Sequence, residues 1–212
     1  MSSSIPKVFP KDVIIDNKEK IELIKNKKVK MARPFHWEEM KYILDNNSVE
    51  IMVRNPADEI VYLNWMKVCK TKYGSINDFI KINVMGYSEI IDKKTGVKLA
   101  DKPKYKTDNL IFESEDVYYV FRRNDFPYWL EPNIEHYVLW TSEEFTREHA
   151  GAIIKEKFPE YDTIYFSNTP EKKSVKGVCH YQIFIRPKST PLNTIKLNEQ
   201  KLKDLKSKNF NV

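Results

Sequence analysis

The spacing of apolar positions divides the chain into a helical first part and a strand-rich second part. Over residues 37–44, Trp37, Met40, Ile43 and Leu44 recur at intervals of three and four, which predicts a short amphipathic helix closed by Asp45-Asn46-Asn47. Pro56 stands where helices often begin. From there Ile60, Leu63, Met66 and Val68 predict a long amphipathic helix reaching Tyr73, with Gly74 as its stop. Ser75-Ile-Asn-Asp78 is a capping signal for a third helix over Phe79 and Ile82 toward Met85. Residues 86–109 carry turn residues and charges, and predict a loop or a hairpin.

After residue 116 the period changes. Residues 117–122, 135–140, 162–166 and 178–185 are short runs rich in β-branched and aromatic residues, the signature of strands. Between the second and third, Thr141-Ser-Glu-Glu144 predicts a helix start, with Phe145, Ala152, Ile153, Ile154 and Phe158 along the helix. The order helix-rich half, then strand–strand–helix–strand–strand, predicts an α+β fold: a helical N-terminal half packed on a largely antiparallel sheet formed mainly by the C-terminal half. The expected organisation is an N-terminal arm (1–33), a single α+β domain (34–187) and a basic C-terminal tail (188–212) open to helix formation.

Composition narrows the function classes. The chain has 212 residues, of which 41% are hydrophobic and 13% aromatic, enough to bury a core. No run of about eighteen apolar residues occurs, so no membrane span is expected, and the first ten residues lack the pattern of a secretory signal. Two cysteines, Cys69 and Cys179, are too few for a disulfide scaffold or a four-cysteine zinc site. The expected location is intracellular and cytoplasmic, which for a viral protein means the host cytoplasm. With five glycines, and neither GxGxxG nor GxxxxGK[ST], a glycine-rich phosphate loop is not expected. No cofactor and no metal are assigned. A net charge of +6, concentrated in residues 18–30 and 196–208, admits an anionic small ligand or nucleic acid without requiring either.

Three groups of residues could carry chemistry. Arg122, Arg123, Asn124, Asp125, Tyr128 and Trp129 lie between two predicted strands; arginine forks match phosphate or carboxylate, and aromatic faces stack on bases or sugars. The same residues could instead shape a turn and fill the core. Strand alternation puts His136, Val138 and Trp140 on one face, and His180, Gln182 and Phe184 on one face of the last strand. If those strands are neighbours, His136 and His180 could approach each other and, with Glu135, Asp125 or Glu131 nearby, bind a metal or act in acid–base catalysis, or serve as buried structural groups. Asn168, Lys172, Lys173, Ser174 and Lys176 form a loop that could close over a phosphate or remain solvated. Cys179 and His180 are adjacent strand residues pointing to opposite faces, which excludes them as a nucleophile–base pair.

Four blocks of the chain carry a resemblance. Trp37-Glu-Glu-Met40, Arg54-Asn-Pro56 and Tyr62-Leu-Asn-Trp65 leading to Lys72-Tyr-Gly-Ser-Ile76 resemble the first half of the N-acetylglucosamine-induced protein 1 family. This is a domain of unknown function found in fungi and large DNA viruses. Asn124-Asp-Phe-Pro-Tyr128 with Ile134-Glu-His-Tyr-Val-Leu-Trp140 resembles its second signature, and Phe166-Ser-Asn-Thr-Pro170, Lys173-Ser-Val175 and His180-Tyr-Gln182 its third. The resemblance spans roughly residues 35–187. Trp129 stands where the family tends to have glycine, and Cys179-His-Tyr-Gln182 where it reads Glu-His-Phe-His. Gln182 cannot shuttle a proton near neutral pH. The family's name implies a link to amino-sugar metabolism.

Three functions remain open on this reading. The first is binding of a phosphorylated or nucleotide-linked (amino sugar) ligand by Arg122, Arg123, Asn124, Asp125, Tyr128, Trp129, Asn168, Lys173, Ser174 and Gln182, with His136 and His180 as the acid–base candidates. The second is RNA or nucleotide binding of the cap-binding type, with Trp129, Glu131, Trp140 and the loop lysines around the base. The third is a protein-interaction module without a small ligand. No membrane partner is expected, and the oligomeric state is left open.

Overall fold

The four strand-like runs build the core of a five-stranded antiparallel sheet. In the computed structural model, which describes residues 7–8, 29–30, 33–103, 109–168 and 175–188, its order is β5-β6-β7-β9-β8. The strands are β5 (Ile111–Phe112), β6 (Tyr118–Arg123), β7 (Glu135–Thr141), β8 (Tyr161–Phe166) and β9 (Cys179–Pro187). Two short pairs lie outside it. β1 (Lys7–Val8) runs parallel to β2 (Val29–Lys30), and β3 (Tyr87–Ile91) with β4 (Lys98–Pro103) makes the hairpin that the turn residues after Gly86 suggested. The remaining residues of the N-terminal arm, and the tail beyond Lys188, lie outside the described residues.

Four α-helices occur among the described residues: α1 (Trp37–Asp45), α2 (Pro56–Lys72), α3 (Ile76–Asn83) and α4 (Arg147–Lys157). A 3-10 turn, Val49–Ile51, links the first two. Their ends follow from local chemistry. Asn55 accepts a hydrogen bond from the Ala57 amide ahead of Pro56, and the Ser75 hydroxyl accepts one from the Asp78 amide, each satisfying an orphan N–H of its helix. Asn47 takes a positive φ of 48° just after α1, a conformation that Asn tolerates better than most residues.

One helix start and one helix face differ from the sequence reading. The helix expected at Thr141-Ser-Glu-Glu144 begins five residues later. Thr141 closes β7, its hydroxyl donating to the Glu143 carbonyl, and Thr146 caps α4 by accepting from the His149 amide. Phe145 therefore precedes the helix it was expected to join. In α2 the row expected to be buried faces solvent: Ile60 is 61% exposed, Leu63 50% and Val68 49%. The helix docks instead through Tyr62, Trp65 and the buried Cys69. Apolar residues stand on both sides of this helix, so periodicity alone could not choose the inner one.

The sheet divides the core by residue alternation. On one face Tyr119, Leu139, Ile183 and Ile185 pack beneath α4 through Ala150, Ile153 and Ile154. The other face is shared. Toward one end Phe184 and Phe166 meet Trp37, Met40 and Ile43 of α1. Toward the other, Tyr118, Val120, Val138 and Trp140 meet Ile80 and Met85 at α3. Each fully buried large apolar side chain contributes about 1.5–3 kcal/mol, and each pack anchors its helix on the sheet. Between them the middle of that face is left for polar residues.

Candidate functional site

The register of the central strands places the polar residues. Arg122 of β6 lies opposite Val138 of β7, and Val138 opposite Gln182 of β9. This row is flanked by Trp140–His180 on one side and His136–Phe184 on the other. The row forms the floor of a cleft of about 100 Å³. Ile76, Phe79 and Ile80 of α3 wall one side, and Arg54, Tyr62, Trp65 and Phe126 stand over it. Its charged lining residues are Arg54, Arg122, Arg123 and Asp125; Arg54 is paired with Glu59, Arg122 with Asp125, and Arg123 lies near Glu135.

The roof is a linked aromatic cluster. Trp65 stands 4.8 Å from Phe126 and 5.1 Å from Phe79 between ring centroids, and Tyr62 stands 5.3 Å from Phe126. Arg54 joins it to the loop after β6. Its guanidinium lies 3.8 Å above the Tyr62 ring centroid, donates from Nε to the Phe126 carbonyl at 3.0 Å, and reaches Glu59 at 3.1 Å. The sequence reading assigns no ligand role to Arg54, Tyr62 or Trp65. The signal available was the three-residue spacing of two large aromatics on α2, beside an arginine at its entry.

Behind the floor, His136 is 3% exposed and both ring nitrogens are engaged. Its Nδ1 accepts from the Tyr128 backbone amide at 3.3 Å. A backbone N–H can only donate, so Nδ1 carries no proton and Nε2 does. Nε2 then donates to Gln182 Oε1 at 2.7 Å. The Asn124 amide nitrogen lies 3.3 Å from Nε2 and 3.5 Å from Nδ1, and Asn124 Oδ1 accepts from the Phe126 amide. Tyr128 and Phe184 flank the imidazole at centroid distances of 5.2 and 4.5 Å. Burial lowers its pKa to about 3, the Gln182 bond opposing the shift and nearby Arg54 adding to it. The ring is neutral at physiological pH.

His180 occupies a different place. Its Nδ1 donates to the Val178 carbonyl at 2.9 Å and its ring lies 4.9 Å from Trp140. The antiparallel register sets it opposite Trp140, four residues and about 13 Å along the strand from His136. The approach of two imidazoles allowed by strand alternation is not realised, and Gln182 lies between them.

The expected ligand residues separate in the same way. Arg122, Asn124, Asp125, His180 and Gln182 meet at the cleft. Arg122 is tethered to Asp125 at 2.8 Å in an exposed pair. Arg123 borders the rim, but its side chain turns to solvent and lies 3.7 Å from Glu135. Tyr128 packs behind His136, its phenol bonded to Asn168 and its pKa raised chiefly by burial. Trp129 is drawn into the α1 cluster, its amide donating to the Val53 carbonyl and its own carbonyl accepting from Phe35. Trp140 belongs to the α3 cluster, so the expected pairing of Trp129 and Trp140 around a base is not formed. Lys173 and Ser174 lie outside the described residues. The Cys69 thiol is raised by burial, as suits an inert core group. Among the described residues no three His, Cys, Asp or Glu side chains are placed to hold a metal ion, and no helix is long and apolar enough to cross a membrane.

Known proteins resemble this chain. An N-acetylglucosamine-induced protein 1 of Candida albicans is 29% identical over 118 residues, covering 54% of this chain and 46% of that protein. The chain thus matches less than half the length of that relative. An uncharacterized protein of Saccharomyces cerevisiae is 23% identical over 172 residues, covering 73% of this chain and 80% of that one. A crystal structure of HTC1 superposes with a TM-score of 0.52 at 21% identity, covering 81% of this chain and 95% of that chain, and supports the fold. The sequence profile of a protein family of unknown function, DUF3605, matches residues 36–186, which contain α1 through β9 apart from the last residue of that strand. The chain belongs to the DUF3605 family.

Proposed function

We propose that the protein binds a small phosphorylated or nucleotide-linked ligand in the cleft above Arg122, Val138 and Gln182. The observation that carries this reading is the meeting of Arg54, Arg122, Asn124 and Gln182 under an aromatic roof, in a gap between two otherwise apolar packs. Arginine forks suit phosphate oxygens, and the ring faces of Trp65 and Phe126 suit a sugar or base. The name of the Candida relative makes amino-sugar derivatives the first candidates. His136, neutral and enclosed, serves binding by positioning its neighbours, and acid–base chemistry is not part of this proposal.

A thermal-shift series at fixed salt tests it, with N-acetylglucosamine, its phosphates, UDP-N-acetylglucosamine, free nucleotides, a cap analogue and short RNA. Stabilisation by phosphorylated compounds, abolished in Arg122→Ala, supports the proposal, since a ligand of the folded state stabilises it by mass action. Equal stabilisation by the unphosphorylated sugar, or none by any phosphorylated compound, refutes it. A response to RNA alone transfers the reading to nucleic acid.

A second reading, an interaction module, has the outward stripe of α2 in its favour, where Ile60, Val61 and Val68 are about half exposed or more. Self-association through that stripe predicts a concentration-dependent mass in sedimentation that Ile60→Lys with Val68→Lys abolishes. A monomer at every concentration counts against it.

A further inference from the structure

We infer that His136 is a positioning residue that locks the Gln182 amide with its NH2 group toward the cleft, so that the ligand must present a hydrogen-bond acceptor, such as a phosphate oxygen, at Gln182. This deepens the ligand-binding reading and rests on it. The Tyr128 N–H can only donate, and it meets His136 Nδ1. A neutral imidazole with Nδ1 accepting must carry its proton on Nε2. The group 2.7 Å from Nε2 must then be the carbonyl oxygen of Gln182, because an NH2 in line with that N–H would set donor against donor; the Asn124 NH2, 3.3 Å from Nε2 and 3.5 Å from Nδ1, is nearly equidistant from both and so lies over the ring face, in line with neither. The Gln182 NH2 is left on the other branch of the amide, and Gln182 lines the cleft. Among the described residues no hydrogen-bond partner of that NH2 is found, and no buried side-chain nitrogen or oxygen is left unsatisfied, so the NH2 is open to the cleft rather than sealed in the protein.

The rotation of the ring is held as firmly as its tautomer. Tyr128 and Phe184 flank it, and Asn124, itself fixed by the Phe126 amide, leans on it from the loop. The depressed pKa agrees with a ring that stays neutral while the ligand binds. A donor set in advance loses little freedom on binding, which distinguishes it from a glutamine free to flip.

The test pairs Gln182→Glu with a spectroscopic reading of His136. Glutamate is close in shape and still accepts from Nε2, but it offers the cleft a carboxylate oxygen in place of NH2. Long-range ¹H–¹⁵N spectra of the wild type are expected to show a pyrrole-type Nε2 and a pyridine-type Nδ1 at neutral pH. In Gln182→Glu the new carboxylate is expected to raise the His136 pKa, showing that the two groups still touch in a folded protein. Affinity for N-acetylglucosamine 6-phosphate or UDP-N-acetylglucosamine, whichever the wild type binds, is expected to fall about tenfold or more in this variant, the scale of a lost hydrogen bond to a charged group. A protonated Nδ1, or unchanged affinity in Gln182→Glu, overturns the inference while leaving ligand binding in the cleft intact. Absence of wild-type binding to any phosphorylated probe overturns the ligand reading and the acceptor rule with it, and the spectra then decide the orientation of Gln182 by themselves.

Discussion

The neutral imidazole of His136 makes stability depend on pH in a way that can be isolated. In an unfolded chain a histidine takes up its proton near pH 6.5, whereas here it does so only near 3. Between these values the unfolded state binds a proton that the folded state refuses. Stability is therefore fully present above about pH 6.5 and is lost as pH falls toward 3. The slope is about 1.4 kcal/mol per pH unit, so the penalty reaches about 3 kcal/mol at pH 4.5 and about 5 kcal/mol in full. Against a typical stability of about 5–15 kcal/mol this is a large share. Urea unfolding of the wild type and of His136→Gln at a series of pH values would measure it. Carboxylate titration is common to both proteins, so the difference between their curves reports His136. The wild type should lose about 3 kcal/mol more than the variant between pH 7 and pH 4.5. Parallel curves, or a His136 that titrates near pH 6.5 by NMR, would refute the account of the buried ring.

Arg122→Ala should leave stability within about 1 kcal/mol, because its pair with Asp125 is largely exposed, while weakening phosphorylated ligands; urea unfolding and calorimetric titration read the two effects separately. Ile154→Ala removes a fully buried side chain beneath the sheet and should cost about 2–5 kcal/mol by urea unfolding, with ligand affinity unchanged in whatever fraction remains folded. Ser75→Ala removes the hydroxyl that caps α3 and also donates to Asp78 at 2.6 Å; a loss of about 1 kcal/mol is expected, together with faster amide exchange at Ile76 to Asp78.

The sequence made some features legible and hid others, for definable reasons. Helix ends marked by Pro56, Ser75 and Asn47 were readable because each residue acts on its own backbone within a few positions. Strands β6, β7, β8 and β9 were readable within two residues because β-branched and aromatic runs have few other uses. The start of α4 was hidden by two competing caps, Thr141 and Thr146; the demand of β9 for a partner as far as Cys179 held Thr141 in the sheet. The inner face of α2 depended on which aromatic row met Phe126 and Phe79, and that contact is set by segments distant in sequence. For the site, alternation put His136, Val138 and Trp140 on one face of β7 and His180, Gln182 and Phe184 on one face of β9, and the register makes these the same face of the sheet. Only the register could show that His136 and His180 are two rows apart, or that Trp129 and Trp140 enter different packs.

The place of β9 also bears on how the protein is made. It is the last strand of the sheet in chain order, yet it lies between β7 and β8 and supplies Phe184, Ile183 and His180 to the two faces. A ribosome that has released everything through β8 has exported the paired strands β5, β6 and β7 and, beyond α4, a β8 that does not pair with any of them. Helices can form early from local contacts, but the sheet can close only when β9 arrives. Until then Leu139 and Phe166 lack their neighbours, and the growing chain exposes apolar surface and open strand edges of the kind that chaperones engage. The cleft, floored by that same strand, is completed only once β9 is in place.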